Sequence, residues 1–155
     1  MQVRIAPVDI ERDGDLCAKF RRDAFVCSFG NAEEFDHAGG AAAYLGWLRA
    51  RAAEFPEGIA HVWAEDEIVG QLEFRINRDR RDAYVHLFYL IPRARGGDVG
   101  GSLHRYMVDV LRRTGISIAK LAVHYYRKHG WIDRGAAPDR ADLHVMELRL
   151  DGGAA

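Results

Sequence analysis

The stretch Arg95-Gly96-Gly97-Asp98-Val99-Gly100-Gly101 constrains this chain more than any other. It follows a long apolar run over 84–91, closed by Pro92, and it opens a helix-patterned segment that starts near Ser102. The order is therefore strand, glycine-rich turn, helix. N–H groups in a helix's first turn have no partner within the helix, and the dipole there favours negative charge. Such a junction is a device for holding phosphate.

Three glycine-rich loops can follow a strand in this way. A nucleotide P-loop ends in Gly-Lys-Ser/Thr, and no lysine lies between Lys19 and Lys120. The dinucleotide fingerprint needs G-x-G-x-x-G, of which Gly97 and Gly100 supply only the second half. The third is the acyl-CoA loop, Arg/Gln-x-x-Gly-x-Gly/Ala after a strand ending near proline. Arg95 and Gly100 match it at its arginine and its last glycine.

Leu90-Ile91-Pro92-Arg93-Ala94-Arg95-Gly96, followed later by Tyr125-Tyr126-Arg127-Lys128-His129-Gly130-Trp131, resembles the GNAT superfamily of acyl-CoA-dependent N-acyltransferases. The second stretch is similar to that family's aromatic-Tyr-x-Lys-x-Gly-aromatic signature. The resemblance covers the whole chain in element order, and its motifs lie within 84–131. It implies an α/β (α+β) fold with a mixed, mostly antiparallel central sheet of about six to seven strands and helices on both faces. It also implies acetyl-CoA as cosubstrate and a primary amine of a small molecule or peptide as acceptor.

Composition bounds the alternatives. The 155 residues suit one domain over 1–151, with 152–155 as a frayed tail. Hydrophobic content of 48% and charged content of 29% are ordinary for a soluble globular protein. A net charge of −1 gives no electrostatic case for nucleic acid or an anionic membrane as partner. Among 22 basic residues only Lys19, Lys120 and Lys128 are lysines, which reads as coding bias. Cys17 and Cys27 lack C-x-x-C spacing and read as buried free thiols. The first residues lack the apolar core of a signal peptide, and no apolar run approaches membrane-spanning length, so a cytoplasmic protein is the expectation. The histidines show no metal-ligand pattern, and no metal is expected. The oligomeric state stays open, with homodimer pairing through sheet edges or the last strand as the option considered.

Periodicity supplies the elements. Strands are expected over 2–6, 59–64, 68–76, 83–91, 116–124 and 143–150. Leu16, Phe20, Ala24 and Cys27 mark a helix stopped at Gly30; Tyr44, Leu45, Leu48, Ala52 and Phe55 mark a second, ended by Pro56 and Gly58. Leu103, Met107, Val110 and Leu111 form a third stripe, with Arg112-Arg113 in the last turn and Gly115 as C-cap. On the strand over 68–76, Gln71, Glu73 and Arg75 are expected to form a wetter face.

The resemblance implies roles for single residues. Leu90 and Ile91 would offer backbone to the pantetheine arm as a pseudo-strand. Arg95, Gly96, Gly97, Asp98, Val99, Gly100, Gly101 and Ser102 would surround the pyrophosphate. Asp98 stands where the family usually has glycine; turned outward, it could be neutralised by Arg93 or Arg95. Tyr126 matches the tyrosine that protonates the departing CoA thiolate. The general base is expected at His86 or Glu73. The family places an Asn loop and roughly two or three turns of helix before the aromatic-Tyr pair. Here His124 meets Tyr125 directly, so either that helix has shrunk to one turn or a segment is missing. The acceptor pocket is expected from 28–40, where Glu33, Glu34 and Asp36 could attract an amine, and from 134–142. Two other classes compete: a non-catalytic CoA-binding or regulatory domain on the same fold, and a ligand-free interaction module with Trp47 or Trp63 exposed.

Overall fold

The computed structural model describes residues 2–123, 130–138 and 140–150. The expected tail, Tyr126 and the whole shortened stretch 124–129 lie outside the described residues. The elements run β1 (Val3–Pro7), α1 (Ile10–Phe29), α2 (Glu33–His37), α3 (Gly40–Glu54), β2 (Ile59–Ala64), β3 (Glu67–Asn77), β4 (Asp82–Leu90), α4 (Asp98–Arg113), β5 (Ile118–Val123), β6 (Ile132–Ala137) and β7 (Arg140–Arg149). The seven strands form one sheet in the order β1-β2-β3-β4-β5-β7-β6. The β4–β5 pair is parallel; β1–β2, β2–β3, β5–β7 and β6–β7 are antiparallel. The sheet is thus mixed and mostly antiparallel, as expected. Among the described residues no helix is long and apolar enough to cross a membrane.

Two compact units emerge, Met1–Glu73 with Leu87–Tyr106, and Phe74–His86 with Met107–Ala155. In the first, α1 begins at Asp9, whose side chain accepts from Arg12 N at 3.1 Å, and ends at Gly30 in the left-handed region with φ +81°. That N-cap and glycine C-cap satisfy helix-end groups that would otherwise lack partners. One core there joins Cys17, Phe35, Tyr44, Leu48 and Ile59; another joins Phe20, Leu87 and Tyr89. Gly70 sits beside a register shift between Val62 and Trp63. A Cβ at Gly70 would lie 2.6 Å from Leu90 Cδ2 and 2.9 Å from Val62 Cγ1, so only glycine lets the strands approach this closely.

In the second unit the β4–β5 ladder runs from Asp82↔Ile118 to Val85↔Leu121. Gly115, at φ +80°, closes α4 as the expected C-cap, and Arg81 Nε donates to its carbonyl at 2.8 Å. Met107, Leu111, Ala119, Leu121 and Met146 are buried here.

Three features depart from the sequence reading. Residues 33–37 fold into α2, which buries only Phe35; its N-cap Ala32 makes no side-chain bond, and Asn31 Oδ1 accepts from Glu33 N at 3.0 Å instead. Helix α4 starts at Asp98 rather than near Ser102, because Gly100 and Gly101 belong to its first turn. The segment 134–142, expected to help form the acceptor pocket and given no strand, contributes to the irregular β6–β7 hairpin.

Candidate active site

The loop expected to hold CoA joins β4 to α4. Ile91 N donates to Val69 O at 2.9 Å, which ties that residue to β3. Because successive residues of a strand aim their backbone groups at opposite edges, Leu90 presents its own to the edge away from β3. Leu90 O is taken there by Arg95 Nε at 2.8 Å. The same guanidinium lies 5.6 Å from the Tyr89 ring and donates to Cys27 Sγ at 3.5 Å. Gly96 adopts φ +80°, and a Cβ at Gly96 or Gly97 would meet nothing within 4 Å. This stretch therefore leaves open space in front of the α4 N-terminus, whose first-turn amides have no helical acceptor. Val99 and Leu103 anchor the helix in the core, while Gly100 packs so that a Cβ would stand 3.4 Å from Leu90 Cδ1. Ser102 Oγ accepts from Arg105 at 3.2 Å.

Asp98 is exposed at the first position of α4. Neither arginine expected to neutralise it does so. Arg93 pairs with Glu67, and Arg95 folds back on Leu90. Arg93 sits beside β3, which supplies a nearer carboxylate than the helix does.

Glu73 departs most from expectation. The face read as wet is exposed only at Arg75: Gln71 and Glu73 have no exposure, because α1 and α3 bring Cys17, Arg21 and Tyr44 over them. Tyr44 donates its phenol proton to Glu73 Oε2, and Gln71 Nε2 donates to the same oxygen at 2.7 Å. Gln71 Nε2 also lies 2.8 Å from the Tyr44 hydroxyl oxygen, and Gln71 Oε1 lies 2.8 Å from His61 Nε2. Arg21 Nη1 stands 3.9 Å from Glu73 Oε1. Burial pushes the Glu73 carboxyl above its ordinary range, against the opposing pull of Arg21, Tyr44 and Gln71. Burial, then the Glu73 charge, holds the Tyr44 phenol far above its usual value, so it stays protonated. Burial lowers His61 and raises the Cys17 thiol to about 12.

His86 is half-buried on β4, with its ring 5.0 Å from that of Tyr84. Sequence reasoning missed a second polar pair: His144 Nδ1 lies 2.8 Å from Asp133 Oδ2 on the β6–β7 hairpin. It also missed Tyr44, Gln71 and His61. For Gln71 and His61 the only signal was a polar residue on each of two adjacent strands; Tyr44, on α3, read as one more apolar position of a helix stripe.

The expected acceptor loop 28–40 does border a pocket, of about 230 Å³, walled by Arg21, Phe25, Phe35, Tyr44 and Trp47. Glu33, Glu34 and Asp36 are not among its walls, and Asp36 is engaged by Arg22 at 3.2 Å. Trp47 and Trp63 are both half-buried; Trp63 has the guanidinium carbons of Arg4 and Arg12 at 4.7 and 5.7 Å from its ring.

Similar structures share this architecture. PaiA N-acetyltransferase from Thermoplasma acidophilum, solved with coenzyme A, superposes with TM-score 0.75 at 17% identity, covering 96% of this chain and 99% of its own. YncA from Salmonella typhimurium, solved with acetyl-CoA, gives 0.73 at 18% identity, covering 100% and 98%. The ribosomal-protein-alanine N-acetyltransferase of Brucella melitensis gives 0.68 at 19% identity, covering 97% and 100%. No curated protein matches the sequence. The acetyltransferase (GNAT) family model matches residues 18–131, so the chain belongs to the GNAT family of acetyltransferases.

Proposed function

We propose that this chain is an N-acetyltransferase that moves an acetyl group from acetyl-CoA to a primary amine by direct attack. One observation supports the reading: the Leu90 backbone edge turned away from β3, its carbonyl held by the Arg95 side chain, adjoins a glycine loop and helix N-terminus where a Cβ at Gly96 or Gly97 would meet nothing within 4 Å. Such an edge suits the amides of pantetheine, and the α4 first turn suits a pyrophosphate. Gly96, Gly97 and the amides from Asp98 to Gly101 would face the phosphates, with Arg95 released from Leu90 O to make way. The amine nitrogen then attacks the thioester carbonyl, so no nucleophilic side chain is needed. The protein contributes proximity and backbone donors for the carbonyl oxygen. Tyr126 would supply the proton to sulfur, by resemblance to the family. His86 and Glu73 remain the candidate bases. Both thiols are free, Cys17 buried as expected and Cys27 exposed rather than buried, and free thiols suit a reducing cytoplasm.

The test is a thermal melt with and without acetyl-CoA. Ligand at a hundred times its Kd adds about 2.7 kcal/mol, and each kcal/mol moves the midpoint of a domain this size by roughly 2–4 °C. A dose-saturating rise of that order supports the reading; no rise at high concentration refutes it. Asp98, an exposed carboxylate in the α4 first turn, favours a second reading, a CoA-binding domain without turnover. A melt shift with no thiol release from any amine would select it.

A further inference from the structure

We propose that the pocket walled by Phe25, Phe35, Trp47 and Arg21 receives the apolar body of the acceptor amine, and that Tyr44 passes the amine's proton to Glu73. The inference rests on the acetyl-transfer reading and names its acceptor class and its base.

Glu73 has no exposed surface, so it cannot touch an acceptor directly. Tyr44 can mediate, because it both walls the pocket and donates to Glu73 Oε2, while Arg21, which also walls the pocket, stands 3.9 Å from Oε1. Its ring stacks on Trp47 at 6.3 Å, interplanar 25°, and meets Phe35 edge-on at 6.1 Å. These contacts hold the ring against the aromatic wall, and the hydroxyl is turned to the buried Glu73. The carboxylate behind it is fixed by Gln71 at 2.7 Å and by Arg21 at 3.9 Å. A phenol kept protonated by its surroundings acts here as a relay rather than as a store of charge.

The proton bookkeeping closes. An N–H bond of the ammonium breaks as its proton joins the Tyr44 oxygen, and the original Tyr44 proton moves to Glu73 Oε2. The neutral nitrogen attacks the thioester carbonyl; the C–N bond forms and the C–S bond breaks. A second proton from nitrogen ends on the CoA sulfur, and the Glu73 proton returns to solvent by the same route.

The walls select the acceptor. At about 230 Å³ the pocket falls below the roughly 300–1,000 Å³ of sites that take a whole drug-sized ligand, so it suits one ring or one branched chain. The Arg21 guanidinium carbon lies 5.3 Å from the Phe25 ring and 5.9 Å from the Tyr44 ring, so a cation already occupies the aromatic faces. A polyamine with further positive charges would meet that cation. An amine with an uncharged ring or branched chain would not.

The experiment compares 2-phenylethylamine with spermidine as acceptors of acetyl-CoA, following the acetylated product. The expected kcat/KM for 2-phenylethylamine exceeds that for spermidine at least about ten-fold. Tyr44→Phe and the isosteric Glu73→Gln should each lower kcat about a hundred-fold while leaving the amine KM nearly unchanged. Trp47→Ala should raise KM with kcat held. Each variant's melt shift with acetyl-CoA reports that the fold and CoA site survive. Preference for spermidine, or wild-type kcat in a folded Tyr44→Phe, overturns the proposal. Trp47 emission, titrated with 2-phenylethylamine alone, separates the two readings. No acetyl-CoA shift with quenching retained sinks acetyl transfer and the relay with it. A normal acetyl-CoA shift with no quenching and no turnover sinks the pocket assignment alone.

Discussion

Removing one hydroxyl from the buried network should have a large effect on stability. In Tyr44→Phe, Glu73 Oε2 keeps only Gln71, and Glu73 Oε1 faces Arg21 at 3.9 Å, beyond hydrogen-bond length. A hydrogen bond to a buried charged group is worth about 1.5–3 kcal/mol, and no water replaces the lost donor in a site with no exposure. We expect a loss of about 2–3 kcal/mol in urea unfolding at neutral pH with an unchanged m-value, equivalent to roughly 4–12 °C in the midpoint. In a Glu73→Gln background the same change removes a bond between neutral groups and should cost only about 0.5–1.5 kcal/mol, leaving a coupling of about 0.5–2.5 kcal/mol. The pH dependence follows from the raised Glu73 carboxyl. The folded state then binds the extra proton more readily than the unfolded chain does. Relative to Glu73→Gln, wild-type stability is greatest below the unfolded value of 4.5 and declines as pH rises through the folded value, then levels off. Losses below about 0.5 kcal/mol in both backgrounds would refute a charge-assisted bond between Tyr44 and Glu73.

Other perturbations probe the loop and its surroundings. Gly70→Ala forces β3 away from Leu90 and should cost about 1–3 kcal/mol in unfolding, together with weaker acetyl-CoA stabilisation in the melt. A thiol reagent at neutral pH should modify Cys27 quickly and Cys17 only on unfolding, since Cys17 is buried with its thiol held at about 12; equal rates, read by peptide mass spectrometry, would contradict this. Asp98→Asn should tighten CoA binding a few-fold at low salt, with the gain lost near about 0.5 M salt, because an exposed carboxylate is well screened. Calorimetry at two ionic strengths would show it.

Much of the fold is legible because local rules suffice. Helix α1 carries its own glycine stop, and β2 and β3 carry their own turn at Glu65-Asp66. Strand β6 is different: no strand is expected there, since Gly135 and the Pro138 just beyond it are turn formers, and its strand state comes from pairing with β7 across two register shifts. Helix α2 has only Phe35 to bury, and the side chain that meets its first N–H belongs to Asn31 outside it, so nothing in its five residues announces a helix. The glycine loop between β4 and α4 could be located from its sequence, yet not the destination of Arg95, which is set by the carbonyl of Leu90 and by Cys27 on α1. Glu73 was found as a candidate base but assigned to a solvated face. Alternating polar residues look the same in sequence whether water or a second polar layer covers them. Only the approach of Tyr44 from α3 and Arg21 from α1 decides between the two.

The amide of Gln71 has one end that only donates and one that only accepts, which gives the buried chain a direction. While Glu73 is ionised the NH2 end must face it, so the oxygen faces His61, and His61 must carry its hydrogen on Nε2. Once Glu73 is protonated the amide is free to invert, and the histidine can exchange to its other tautomer. His61 thereby becomes a remote reporter of a carboxyl group it never touches. Its ring nitrogen resonances would read the ionisation of Glu73 through a residue that itself never titrates.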